Sequence, residues 1–218
     1  MAKAKTAAAV IRKKKWYPVV APRLEDMPVG ETPAFEAKSL VGRTLLANLM
    51  TLTNDPKKQH VNIKFMVTSA NETQAQADPV GYYIMASSLK RLVRRRTDRV
   101  DDSILCETAE GIKIKIKPFM LTRNLVKDSI KTRLRKISRE YLIKYAKQKS
   151  LIDLLRDIVD YKPQEELRGM LKRIYPLKAL EIRTLEITKD ASDERSLVQI
   201  VKELSAHEPE SKAEVSAA

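Results

Sequence analysis

The sequence predicts an α+β protein: a compact β-rich domain, barrel- or sandwich-like, flanked by helices and preceded by an extended basic N-terminal arm. Three observations carry this. First, Val61, Ile63, Phe65 and Val67 alternate with Asn62, Lys64, Met66 and Thr68, and Ile112, Ile114 and Ile116 alternate with Lys113, Lys115 and Lys117. That two-residue period is the mark of strands with one buried face. Second, Val126, Ile130, Leu134, Ile137, Tyr141 and Tyr145 recur at spacings of three and four, the apolar stripe of a helix. Third, residues 1–40 hold Pro18, Pro22, Pro28 and Pro33 and show no sustained apolar period. The organisation that follows is an arm over 1–40, a β-rich core over 41–190 with a helical segment at 122–175, and a short helix with a disordered acidic tail over 191–218.

In chain order, the arm sets Trp16-Tyr17 directly after Arg12-Lys13-Lys14-Lys15. It lacks the apolar residues to build a core alone and orders on a partner. Gly42–Leu52 and Val80–Met85 are further strand candidates, and Asn54-Asp55-Pro56 is a turn between strands. Ser88 to Arg96 reads as a short basic helix. Ser103–Thr108, the turn Ala109-Glu110-Gly111 and Ile112–Lys117 read as a hairpin with three Ile on one face and three Lys on the other. Leu142 and Ile143 break the two-sided pattern of the long helix, so its second half is more fully buried. Ser150 with Asp153 starts a second helix as a capping box. Pro163 with Gln164-Glu165-Glu166 starts a third, which Tyr175-Pro176 ends. Leu180, Ile182, Leu185 and Ile187 form a last strand whose register slips at Arg183-Thr184, the place for a bulge. A short helix is expected over Asp193–Leu204.

Charge narrows function. The 218 residues carry 42 Lys+Arg and 28 Asp+Glu, net +14, with a pI near 9.8. The excess is uneven: residues 121–149 alone hold ten basic and two acidic side chains, whereas residues 150–190 hold eight of each. Such a block is a binding face for a polyanion, most plausibly nucleic acid, more readily than a solubility surface. No apolar run approaches the roughly 20 residues of a membrane span. The basic start runs into Arg12–Lys15 and not into a cleavage region, which argues against a signal peptide. The single cysteine, Cys106, has no disulfide partner within the chain and points to a reducing compartment.

Catalytic options are few. Five scattered glycines form neither a P-loop nor a dinucleotide fingerprint. Cys106, His60 and His207 cannot supply a zinc site. Asp101-Asp102, with Glu107, would be the metal ligands of an RNA-processing enzyme; a polar strand start is the plainer reading. What is present is phosphate-neutralising chemistry in four clusters: Arg12, Lys13, Lys14 and Lys15; Arg94, Arg95 and Arg96; Lys113, Lys115 and Lys117; and Lys131, Arg135, Lys136 and Arg139. Trp16 stacks on an unpaired base or plugs an apolar pocket, on a neighbouring protein or on this one. Arg43, Arg123 and Lys127 complete the candidate RNA-binding set. No homeodomain, zinc-finger or basic-zipper pattern is present, so the clusters suggest wrapping an irregular polyanion. A free nucleic-acid-binding regulator, and a scaffold using residues 150–190 as a protein surface, are alternatives to be separated by experiment.

The sequence also resembles a known family. Lys14–Pro22, Gly30–Thr32, Val41–Arg43, Leu92–Thr97, Glu110–Lys113, Ile174–Leu177 and Glu181–Arg183 occur in the order found in the archaeal and eukaryotic small-subunit ribosomal protein family called e-S-one, formerly S-three-A-e. The resemblance covers about residues 14–188. It departs at Met85-Ala86-Ser87-Ser88, where the family has a more charged helix start. It lacks the longer C-terminal extension of eukaryotic members and so looks archaeal. The resemblance implies a non-enzymatic, cytoplasmic, ribosome-bound protein on the platform of the small subunit, near the messenger exit. The partners it implies are small-subunit ribosomal RNA and neighbouring platform proteins, with messenger RNA near the exit as an additional one. It implies no cofactor, metal, membrane or homo-oligomer.

Overall fold

The computed structural model describes residues 13–24, 27–188 and 201. Arg12, the first part of the expected arm, and the acidic tail lie outside these residues, as does the short helix apart from Val201, which is helical. The strands are β1 (Lys15–Ala21), β2 (Met27–Ala34), β3 (Thr44–Asn48), β4 (Val61–Ala70), β5 (Ala75–Ile84), β6 (Arg99–Asp101), β7 (Ile104–Glu107), β8 (Lys113–Thr122) and β9 (Leu177–Ile187). The α-helices are α1 (Leu49–Thr53), α2 (Ala86–Leu92), α3 (Asp128–Gln148), α4 (Leu151–Val159) and α5 (Lys162–Lys172). The α+β class holds.

All nine strands join one mixed sheet along the path β2-β1-β5-β9-β8-β6. Strand β5 is its hub. One edge pairs antiparallel with β4, which carries β3, while the other edge is divided between β1, parallel at Val19↔Ala75, and β9, antiparallel at Gly81–Tyr83. Strand β8 divides an edge likewise between β6 and β7. Helix α3 packs along β6 and β7, α4 on β5, and α5 on β9. Leu134, Leu142, Leu154, Leu155, Ile158 and Leu171 thereby join Phe65, Tyr82, Ile114, Ile116 and Leu185 in one core. A second, smaller cluster of Met66, Val80 and Val201 is separate from it. No helix among the described residues is long and apolar enough to cross a membrane.

The expected arm is corrected over residues 15–34, which form an antiparallel hairpin, Lys15↔Ala34 through Ala21↔Met27. Tyr17, Val19 and Ala21 are buried and alternate with more exposed neighbours, so β1 is part of the core. Pro28 and Pro33 misled because β2 is an edge strand, where a missing N–H costs no ladder bond, Pro18 because β1 meets β5 only at Val19 and Val20, and Pro22 lies in the turn between the two strands. The strand expected over Gly42–Leu52 is shorter. Asn48 Oδ1 accepts from the Met50 N–H at 2.8 Å and caps α1, which ends at left-handed Asn54. The basic helix also stops early, at Leu92. Arg94–Arg96 lie in a turn closed by Thr97 Oγ1 donating to the Arg94 carbonyl at 2.6 Å, with Arg96 at φ 65°.

In α3 the buried line is Leu134, Ser138, Leu142 and Ala146, one residue in every four. Ile130, Ile137, Tyr141 and Tyr145 form its half-buried border. The tyrosines lie there because their hydroxyls reach acids on other helices: Tyr141 donates to Glu166 at 2.6 Å and Tyr145 to Asp157 at 2.9 Å. Ser150 caps α4 by accepting from the Asp153 N–H, and Pro163 sits in the first turn of α5. The bulge falls as expected: Lys117 pairs with Thr184 and Pro118 with Ile182, so Arg183 is the extra residue.

Candidate nucleic-acid interface

Helices α3, α4 and α5 cover one side of the sheet, where the isoleucines of β8 point, while α2 flanks the other. The register shows what the other side presents. One cross-strand row runs Leu46 (β3), Lys64 (β4), Gly81 (β5), Glu186 (β9), Lys115 (β8) and Leu105 (β7). The next runs Asn48, Asn62, Tyr83, Thr184 and Lys117. Gly81 is required: a Cβ there would sit 2.9 Å from the Leu185 carbonyl oxygen, so only glycine lets β9 approach β5 this closely. Along these rows lies a cleft of about 890 Å³, whose lining includes Lys64, Tyr83, Lys90, Arg99, Lys117 and Arg183. Of these only Lys117 belongs to the predicted set. Lys64 was legible in the alternation of β4. Tyr83, Lys90, Arg99 and Arg183 come from separate elements and share no local spacing.

At the β6 edge the cations are held by carboxylates. Asp98 accepts from the Val126 N–H at 2.8 Å and pairs with Lys131 at 3.2 Å. The Val126 bond, then Lys131, hold its carboxyl below the usual range against some desolvation. This carboxylate ties the segment after the Arg94–Arg96 turn to the start of α3. Asp101 hydrogen-bonds Arg99 and lies 3.9 Å from Arg183, and the Arg99 guanidinium also sits 5.5 Å from the Phe119 ring centre. Asp102 takes two bonds from Arg139, at 3.0 and 2.9 Å. The two aspartates offered as metal ligands thus face arginines. Glu107 pairs in register with Lys113 on β8, and the described residues contain no cluster of three or more metal-ligating side chains. Cys106 is buried, and burial pushes its thiol up to about 11, away from nucleophile chemistry. His60 Nε2 lies 3.0 Å from the Tyr161 hydroxyl, a structural contact between the residue before β4 and the N-cap of α5.

Other predicted residues are left open to solvent. Arg94, Arg95 and Arg96 are exposed and have no ion-pair partner among the described residues, and Arg123, Lys127, Arg135 and Lys136 are exposed too. Lys113 is exposed, while Lys115 and Lys117 are half-buried on the sheet face. Lys13 and Lys14 just before β1, and Lys15 and Trp16 at its start, are exposed one strand in from the opposite, β2 edge. Trp16 enters no pocket of this chain, being 66% exposed, and Lys14 Nζ lies 5.4 Å from the ring centre of exposed Phe35. Arg43 braces the backbone instead, donating to the Ser39 and Pro33 carbonyls at 3.1 and 2.9 Å.

Two further carboxylates contrast a paired group with an unpaired one. Asp157 accepts from Lys162 and Tyr145, both at 2.9 Å, and pairs with Lys149 at 3.3 Å. Burial raises its carboxyl, but these partners outweigh burial and hold it below the usual range. Glu181 has a buried oxygen with no hydrogen-bond partner; burial, only partly offset by Arg168, pushes it up to about 7.

The arrangement is a rigid body with cations on several faces and no assembled catalytic group among the described residues. The sequence profile of the Ribosomal S3Ae family matches residues 2–191. The chain belongs to that family. It is similar to the small ribosomal subunit protein eS1 of Methanothermobacter thermautotrophicus, 33% identical over 78% of this chain and 88% of the relative. It is also similar to the eS1 proteins of Archaeoglobus fulgidus, 32% identical over 88% and 94%, and Desulfurococcus amylolyticus, 29% identical over 78% and 80%. The S3Ae protein is accordingly a structural constituent of the archaeal-type small ribosomal subunit, cytoplasmic and ribosome-bound, and not an enzyme.

Proposed function

We propose that this S3Ae protein binds small-subunit ribosomal RNA through phosphate contacts and sits on the platform near the messenger exit. There it touches neighbouring platform proteins and, at the exit, messenger RNA. The observation that carries the RNA contact is the exposed Arg94–Arg96 turn, followed by Asp98, which is tied to Val126 and Lys131 at the start of α3, with Lys127, Arg135 and Lys136 exposed on that helix and its N-cap. Arginines on a fixed turn offer forked donors to phosphate oxygens with little ordering entropy to lose. The region beside the β2 edge, with Lys13–Lys15 and Trp16, provides a second contact to RNA or to a neighbouring protein. The platform placement rests on the family resemblance.

The test is sedimentation of cell lysate on a sucrose gradient at high magnesium, repeated after a high-salt wash. The chain should comigrate with small subunits through the wash. A pool at the top of the gradient would overturn the proposal in favour of a free regulator. The purified protein should bind RNA with steep salt dependence: six phosphate contacts cost about 10³-fold in affinity between 50 and 200 mM salt.

A further inference from the structure

The cleft on the open sheet face has features that a general phosphate-binding surface lacks. Its volume of about 890 Å³ falls within the roughly 300–1,000 Å³ of sites that enclose small ligands. That volume is the size of a nucleotide or two. Its lining holds five cations, Lys64, Lys90, Arg99, Lys117 and Arg183, against one carboxylate, Glu186. Arg99 and Arg183 are aimed by their shared partner Asp101, while Lys64, Lys90 and Lys117 have no ion-pair partner among the described residues. The lining is also apolar in part. Leu46 is 61% exposed beside Lys64 in register, which an inorganic anion would not need and the face of a base or sugar would. Tyr83 is half-buried on β5, two strands from Lys117 in the same cross-strand row, about 10 Å at the usual strand spacing.

An aromatic ring on a rigid sheet, ringed by cations, is the chemistry that holds unstacked bases. We infer that this cleft binds a single-stranded segment of RNA, with one base stacked on Tyr83 and the flanking phosphates on Lys64 and Lys117. The inference rests on the RNA-binding function proposed above and specifies the form of RNA that this face takes. It also separates two surfaces. The Arg94–Arg96 turn contacts backbone in any fold, whereas the cleft requires unpaired nucleotides.

The experiment uses the full chain and two labelled probes, a ten-nucleotide oligouridylate and a blunt RNA duplex, with binding followed by fluorescence anisotropy at fixed salt. Tyr83→Leu keeps apolar bulk and removes the stacking face. It should lose about 5- to 150-fold for the oligouridylate and leave duplex binding within twofold. Lys64→Gln with Lys117→Gln should lower the salt slope for the single strand by about 1.4, near 0.7 for each phosphate contact. Unchanged oligouridylate affinity in Tyr83→Leu, or an equal loss for both probes, overturns the inference. Should Tyr83→Leu fail to fold, the unsubstituted chain decides: 4-thiouridine in the oligonucleotide should photocrosslink to β4, β5 or β8 at the cleft, and crosslinks confined to Arg94–Arg96 or α3 overturn it. Failure of the unsubstituted chain to bind either probe would overturn the RNA-binding function itself, and the cleft with it.

Discussion

Lys131 and Arg139 on α3 and Arg94–Arg96 in the neighbouring turn look alike in sequence and differ in what they meet. Lys131 closes on Asp98 and Asp128, and Arg139 grips Asp102. The three turn arginines meet solvent. A cation already held by a carboxylate must give up that partner before it can serve a phosphate. Under the proposed function, the first group builds the interface and the second makes the contact. The sharpest break of this contrast is Arg94→Gln with Arg95→Gln and Arg96→Gln. RNA affinity should fall on the order of 10²-fold near 0.1 M salt and the salt slope should shrink by two to three, with the melting temperature unchanged. Loss of stability in this variant would show the turn to be structural.

Stability should instead track how the buried acids are partnered, and paired Asp157 and unpaired Glu181 give opposite pH signs. Asp157 is held below the usual carboxylate range in the folded state. Its contribution is present above the unfolded value of about 3.8 and lost as pH falls through the lower folded value. Asp157→Asn should cost about 2 kcal/mol at pH 7 and flatten the acid limb of a urea-denaturation series. Glu181 runs the other way. With the folded value near 7 against 4.5, the folded chain binds the extra proton, so stability falls as pH rises from 4.5 to 7. Glu181→Gln should remove that fall and stabilise the chain at pH 8 by on the order of 2 kcal/mol. Parallel slopes in the two variants would show that pairing does not govern these groups.

What could be read in the sequence follows the same division between local and distant causes. Strands β4, β8 and β9 and the caps of α4 and α5 were legible because each rests on residues within a few positions of one another. Strand β1 was not, because Pro18, Pro22, Pro28 and Pro33 signal a loop unless one knows that β2 lies at an edge and that β1 meets β5 only at Val19 and Val20. The buried line of α3 passes through Ser138 and Ala146, which hydropathy barely weighs. Strand β6 is three residues long, and its role appears only when Asp98 and Asp102 meet partners 33 and 37 positions away. The lysine row on β8 was visible as a row, but the cleft beside it draws Lys90, Tyr83, Arg99 and Arg183 from four elements, and no spacing along the chain brings those together.

The smallest effect is the most direct check on the contrast. Arg139 is 54% exposed even while it holds Asp102, so solvent screens the pair and limits what it adds. Its two bonds tie α3 to the β6–β7 connection, and breaking them should cost up to about 1 kcal/mol. Arg139→Gln should therefore lower the urea midpoint slightly and change RNA affinity by less than threefold, well below the loss from the turn arginines. Asp102→Asn removes the same pair from the other side but frees Arg139 as a mobile cation, so its stability loss should match while RNA affinity stays level or rises. Equal losses of affinity in Arg139→Gln and in a single turn substitution would mean that Arg139 leaves its aspartate for a phosphate, and that pairing in the free protein does not mark a residue as scaffold.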